Sequence, residues 1–421
     1  MSVGSRDTAV RHLLKMEKGS NDIVCNGDPA PIAAETVWFD GHPMAWLPDD
    51  FDNADGTVDP SYVVDIDEHG VADVEEALES FKQLGLDGDA VTRNSFPLPT
   101  LQAQLERACR DVHQGRGFAI VRGLDPRKYT AQDNVTIFLG VANYIGEQRG
   151  AQDKRGTMLT HVTDSKIWTT PPELRHGIHT TSGLAWHCDM GTDVLALHIR
   201  SLAETGGSTY VASSWTIYRE LVASFPEVLE TLRHPGWPIQ VSGSPPRHVV
   251  APLLHVSRDK ILISVDPGRL GLHPATARTG RESPVPALNP SQLEALRVLS
   301  SLASKYRHRL DTKPGDMVFI NNLSLLHARD PYVDAKKGPG RHLVRLWLRN
   351  PALAWQIPKS MSVPWEAAFG PDGNGLPGLS GNTDRRYPVL PTLEYKLPKY
   401  TAGSAAFIIE DNDDVNGKGS A

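Results

Sequence analysis

The sequence predicts an α+β chain with a mainly β core, a sandwich or barrel with helices packed outside it. Two observations carry this. Between residues 194 and 349, apolar stretches of four to seven residues recur between turn residues, the pattern of short buried strands. Helical periodicity is confined to a few segments, most of them before residue 145. Taken in order, residues 1–33 are mixed and polar and read as a lead-in. Residues 34–70 carry Trp38, Phe39, Trp46 and Leu47 among many Asp and Pro, which suits short strands and covering loops. Over 73–84, Val74, Ala77, Leu78 and Phe81 share one helical face. Thr100 is placed to cap a second helix whose apolar side is Leu101, Leu105, Ala108 and Val112. GRGFAIVRGL, residues 115–124, is a buried strand between glycines, and a further helix is expected over 131–145. Strands are then expected over 194–199, 208–212, 253–256, 260–265, 317–320 and 343–349, with helices over 214–225 and 290–306. The Gly- and Pro-rich stretch 370–398 suits a surface wrap, and the acidic end, the last ~12 residues, is expected to be disordered.

Composition narrows the function. A chain of 421 residues with 40% hydrophobic and 22% charged residues can bury a sizeable core. A net charge of −7 argues against a general partner for nucleic acid or anionic membrane. Cys25, Cys109 and Cys188 are odd in number and far apart, so neither a disulfide framework nor a structural zinc site is expected. The N-terminal residues lack a signal-peptide apolar core and no apolar run is long enough to span a bilayer. A cytoplasmic enzyme acting on a small molecule is the expectation, and a homo-oligomer is compatible with it.

His187-Cys188-Asp189 is the one His-x-Asp triplet in the chain; His327 follows 140 residues later and Arg341 a further fourteen. Two imidazoles and a carboxylate can occupy one face of an Fe(II) ion and leave the opposite face open. With sixteen histidines and about one residue in eight acidic, roughly two His-x-acid triplets are expected by chance, so the triplet alone also suits a turn with a hydrogen-bonded histidine. If it lies in a strand, both side chains point to one face and the Cys188 sulfur away. The ordered context adds weight. Thr209 closes GGST at 206–209 and can offer a hydroxyl to a carboxylate. GDMVFINNLSLLHAR at 315–329 turns into a buried strand leading to His327. In GRHLVRLWLR at 340–349, Arg341, Leu343, Arg345 and Trp347 share one strand face. Buried guanidiniums need anions, and a dicarboxylate cosubstrate with an acidic substrate would supply two. The alternative for Arg345 is a core Asp or Glu. Asn321 and Asn322 either hold backbone near His327 or form a solvated bulge. His161, His176, His179, His198, His342, Gln148, Gln152 and Asp153 lie in segments that can reach the site or merely surround it.

Trp186–Asp189, GGST, GDMVFINNLSLLHAR and GRHLVRLWLR, in this order, resemble the TauD/TfdA (clavaminate-synthase-like) group of Fe(II)/2-oxoglutarate-dependent dioxygenases, over about residues 96–355. The 115–124 strand and LTHVTD at 159–164 fit as weaker features. The resemblance implies a double-stranded β-helix, or jelly roll, with flanking helices. It implies His187, Asp189 and His327 as iron ligands, Thr209 and Arg341 as the grip on the distal carboxylate of 2-oxoglutarate, and Arg345 at the substrate's acidic group. Cys188 stands where relatives often have Thr or Ser. The implied reaction consumes 2-oxoglutarate and O2, releases succinate and CO2, and oxidises an unactivated C–H bond of a small acidic metabolite or amino-acid derivative, by hydroxylation or by desaturation or cyclisation. The chain then divides into an N-terminal, lid-like extension (1–95), a dioxygenase domain (96–355) and a C-terminal wrap and tail (356–421). A non-catalytic jelly-roll binding protein and a metal-dependent hydrolase are the competing readings. The first leaves intact ligands without purpose, and the second gives Thr209 and Arg341 no role.

Overall fold

The structure is a computed structural model; it describes residues 41–51, 60–153, 156–241, 248–257, 259–272, 285–370 and 385–392. Expectations for residues 1–33, Cys25, Trp38, Phe39, most of 370–398 and the acidic tail fall outside these.

Seventeen strands and seven helices organise the described residues into two main sheets, three two-stranded ribbons and an outer helical layer. In chain order the strands are β1 (Val63–Asp65), β2 (Phe118–Arg122), β3 (Gln148–Arg149), β4 (Leu159–Thr163), β5 (Leu184–His187), β6 (Val194–Ser201), β7 (Thr205–Gly206), β8 (Thr209–Ser213), β9 (Trp237–Gln240), β10 (His248–Ala251), β11 (Leu254–Ser257), β12 (Lys260–Ile263), β13 (His308–Arg309), β14 (Met317–Asn321), β15 (Leu325–Arg329), β16 (Tyr332–Val333) and β17 (His342–Arg349). The major sheet runs β1-β2-β14-β6-β17-β3, with β4 also paired to β17; the minor sheet runs β13-β8-β15-β5. Apart from β1 on β2, both sheets are antiparallel. This is the expected jelly roll with flanking helices.

Alternation along β17 separates two cores. Leu343 and Trp347 point into the apolar space that the minor sheet closes. Val344, Leu346 and Leu348 point the other way, into a second cluster. That outer cluster is covered by α1 (Glu68–Leu84), α2 (Gln102–His113) and α3 (Ala131–Ala142), whose apolar faces include Val74, Leu78, Leu105 and Val135. Helices α4 (Ser214–Ser224), α5 (Pro226–Arg233) and α6 (Pro290–Lys305) pack on the first core, and α7 (Val363–Phe369) adds Trp365 and Phe369 to it. A strand with two buried faces reads as a continuous apolar run, which is why HLVRLWLR is legible as a strand.

The ends of the helices correct two expectations. Helix α1 begins five residues before the apolar pattern because the Asp67 side chain accepts from the Gly70 N–H at 2.9 Å. Thr100 does not cap α2; its own N–H donates to Asp73, and the first turn has no side-chain cap. Helix α6 carries a reciprocal capping box between Asn289 and Gln292.

Candidate active site

His187 ends β5 and lies directly opposite His327 of β15 in the antiparallel ladder. That register brings the two imidazoles together, with ring centroids 4.1 Å apart. Asp189 is not in the strand, contrary to one expectation; it follows in an irregular turn that folds its carboxylate back. Its Oδ1 lies 3.7 Å from Nε2 of both His187 and His327. The three ligand atoms all fall within 4.8 Å of one another, and all three residues are buried. Cys188 turns the other way. Its sulfur accepts from the Val265 N–H and sits in apolar surroundings, which raise its thiol far above the ordinary range.

The donor set fits Fe(II). His187 Nδ1 lies 2.7 Å from the Ala185 carbonyl, which fixes the proton there and leaves Nε2 as a lone pair facing the other ligands. Burial, then His187 and Arg345, hold His327 far below the ordinary imidazole range, in the neutral form that a metal requires. Two imidazoles and one carboxylate on one side are the arrangement associated with non-haem Fe(II).

What holds Asp189 comes from other elements. Asn322, just past β14, accepts from the Asp189 N–H at 2.8 Å and donates to the carbonyls of Asp189 at 2.6 Å and Thr192 at 2.9 Å. Asn322 thus grips the backbone of the turn that carries Asp189 rather than backbone beside His327, while Asn321 ties β14 to the Val112 carbonyl. From the major sheet, Arg345 Nη1 and Trp347 Nε1 each donate to Asp189 Oδ2 at 2.8 Å. Arg345 is therefore a correction. Its expected partner was a substrate acid, but its guanidinium meets an acid of this chain, and its Nε donates to Gln152 at 2.9 Å. The competing reading, a core carboxylate, is the arrangement found. The physical reason is proximity: the face that carries Arg345 looks across the sandwich onto the Asp189 turn.

Thr209 and Arg341 lie further along the interior. Gly206 and Gly207 both have positive φ, +74° and +72°. A Cβ at Gly207 would stand 2.8 Å from Arg341 Nε, so the glycine makes room for the guanidinium. Arg341 donates from Nε to the Gly207 carbonyl at 3.2 Å, while its buried Nη1 has no partner among the described residues. Burial and then the neighbouring Arg329 lower it to about 10. Arg329 and Tyr332 were not singled out from sequence, but Arg329 sits two positions after His327 on a strand and so shares its inward face, and Tyr332 follows three residues later. Both are buried beside Arg341.

The histidines divide. His342 faces outward, and His161 Nδ1 lies 2.8 Å from its Nε2, with Pro388 capping the pair. His198 is on the same outer face against Phe138. His176 accepts from the Ile178 N–H. His179 packs on Trp168, with ring centroids 4.6 Å apart, within the field of Arg345, and burial lowers it to about 3. Gln148 lies in β3, and Asp153 accepts from Thr157.

Relatives place this architecture. A family described as taurine catabolism dioxygenase TauD, TfdA matches residues 80–347. The taurine hydroxylase-like protein SAT17 of Stachybotrys chartarum is 33% identical over 334 residues, covering 77% of this chain and 84% of that protein. FR-33289 synthase of Streptomyces rubellomurinus is 26% identical over 311 residues, covering 71% of this chain and 88% of that protein. Among solved structures, asparagine oxygenase in complex with Fe(II), 3-hydroxyasparagine and succinate superposes with a TM-score of 0.53 at 18% identity, over 68% of this chain and 93% of that one. The chain belongs to the TauD, TfdA family of Fe(II)/2-oxoglutarate-dependent dioxygenases.

Proposed function

We propose that this enzyme oxidises an unactivated C–H bond of a small metabolite or amino-acid derivative, with His187, Asp189 and His327 as its iron ligands and Thr209 and Arg341 holding the distal carboxylate of 2-oxoglutarate. The observation that carries it is the coexistence of two features in one interior. Three ligand atoms converge within 4.8 Å, and a buried guanidinium keeps an unpartnered N–H beyond them. A hydrolase needs the first but not the second. When bound, Fe(II) supplies the activation of O2 that couples loss of CO2 from the cosubstrate to C–H oxidation.

The residues of this chain position and exclude. Arg345 and Trp347 hold one oxygen of the Asp189 carboxylate, and Asn322 holds the backbone of its turn, so that the other oxygen faces the histidines. His187 is held in one tautomer by Ala185. Apolar packing around Trp347, Leu343 and Leu195 keeps water from the site. Because Arg345 is engaged with Asp189, an acidic group on the substrate is not part of the proposal. Asparagine oxygenase, solved with hydroxyasparagine bound, and the relative named for taurine hydroxylation support a small-molecule substrate.

We also propose that the flanks act as cover. Met44, Trp46 and Phe51 pack into the core, and the Pro388 and Thr392 carbonyls hold His161 and Trp168. Among the described residues no helix is long and apolar enough to cross a membrane.

The test is anaerobic titration of Fe(II) and 2-oxoglutarate. A visible charge-transfer band is expected, absent in His187→Ala and His327→Ala, together with O2-dependent conversion of 2-oxoglutarate to succinate by the wild type. Arg341→Ala should weaken 2-oxoglutarate at least about thirtyfold, the loss of a buried bidentate ion pair. A band that survives in both histidine variants would refute the ligand assignment.

A further inference from the structure

Three buried side chains near the end of β15 keep hydrogen-bond donors with no partner among the described residues: Arg329 at Nε and Nη1, Arg341 at Nη1, and Tyr332 at its hydroxyl. Arg329 and Tyr332 are 5% and 4% exposed, so water does not satisfy these groups from outside. The three belong together. The guanidiniums of Arg329 and Arg341 lie 5.1 and 5.4 Å from the centre of the Tyr332 ring. Arg329 is paired with Thr209 in the β15–β8 ladder, so their side chains leave the same face.

Burying a guanidinium without an anion is costly, and burying two side by side is more so. Part of the cost at Arg329 is offset locally: its Nη2 donates to the carbonyls of Gly177, Thr180 and Ser182. Those contacts employ one nitrogen of three. A residue whose only task was to tie the 177–182 segment would not need the other two, and a lysine could do it. Unpartnered donors on Arg329, Arg341 and Tyr332, beside the Thr209 hydroxyl, form a cradle for a planar two-oxygen anion.

Building on the cosubstrate site proposed above, we infer that Arg329 and Tyr332 are further binding residues for the distal carboxylate of 2-oxoglutarate, which is shared between two guanidiniums, the tyrosine hydroxyl and Thr209. Arg329 also connects that carboxylate to the 177–182 segment just ahead of the metal triplet, so filling the site fixes the segment that carries His179.

The experiment is calorimetric titration, without oxygen, of the Fe(II)-loaded protein with 2-oxoglutarate and with 2-oxobutyrate, which has the same keto-acid end and no distal carboxylate. In Arg329→Lys, which keeps a cation able to hold the three carbonyls, the dissociation constant for 2-oxoglutarate should rise at least about tenfold while that for 2-oxobutyrate stays within about twofold. Tyr332→Phe, which removes one oxygen, should show about a three- to tenfold loss with the same selectivity. Unchanged 2-oxoglutarate affinity in both variants, with Arg341→Ala still weakened, would overturn this inference alone. Equal weakening toward both keto acids in Arg329→Lys would also overturn it, since that is the mark of a purely structural role. An unchanged Arg341→Ala would instead bring down the cosubstrate site on which it rests.

Discussion

Replacing Asn322 by alanine removes one side chain and three hydrogen bonds from a residue only 2% exposed. Each such bond contributes about 1 kcal/mol net, and each buried group left without a partner costs about 1–3 kcal/mol. The groups stranded are the Asp189 N–H, the Asp189 carbonyl and the Thr192 carbonyl. Water entering the small void recovers part of this, so a loss of about 3–5 kcal/mol in apoprotein stability is expected. Asn322→Asp is the sharper comparison. It has the same shape and keeps the acceptor for the Asp189 N–H, but it loses both donors and adds a second buried carboxylate near the first. At pH 7 it should be at least as destabilised as the alanine variant. Urea unfolding of the metal-free proteins measures the first quantity. Titration with Fe(II) measures the second consequence, a fall in metal affinity of about 10–100-fold because the third ligand is no longer held in place. If Asn322→Ala stays within about 1 kcal/mol of wild type and binds Fe(II) as tightly, Asn322 is not the clamp described above.

Three other perturbations follow from the same contacts. Arg345→Leu leaves Asp189 buried without its cation and should cost about 3–5 kcal/mol in the apoprotein, a loss that shrinks when Fe(II) supplies the missing positive charge; equal losses with and without metal would count against the pairing. Cys188→Ser should retain the Fe(II)/2-oxoglutarate charge-transfer band, since the sulfur bonds to Val265 and not toward the ligands, and absence of the band in a folded variant would show the triplet to be misplaced. Burial lowers His161 to about 4 and His342 to about 3, from an ordinary value of 6.5. Because the unfolded chain takes up these protons first, the stability of the folded state is present above pH 6.5 and falls as pH drops toward 4. Each of the two groups contributes a slope approaching about 1.4 kcal/mol per pH unit. Stability measured from pH 7 to pH 4.5 should decline, and less steeply in His161→Gln; an unaltered slope in that variant would refute the contribution.

The candidate site was legible in the chain because its proposed ligands and proposed carboxylate grip are carried by short motifs. His187, Asp189, His327, Thr209 and Arg341 each stand at a fixed place relative to a turn or strand, and the glycines of GGST record a backbone that must pass close to a guanidinium. Apolar runs likewise located β6, β14 and β17 to within two residues, since burial on both faces leaves a continuous signal. Short strands such as β1, β3 and β5 left no such signal, because two to four residues cannot establish a period.

What only the tertiary structure decided was which charged groups meet. Sequence periodicity put Arg345 on an interior face but could not say whether a substrate or a neighbouring strand would supply its anion. The answer depends on the β5–β15 register and on the turn that returns Asp189 toward the major sheet. Asn322, Trp347 and Arg329 meet their partners across more than 100 residues of chain, and no local pattern says which partners those are. Secondary structure is governed by nearest neighbours along the chain and can be read from it; the balance of buried charge is a sum over neighbours in space, and exists only once the two sheets have closed.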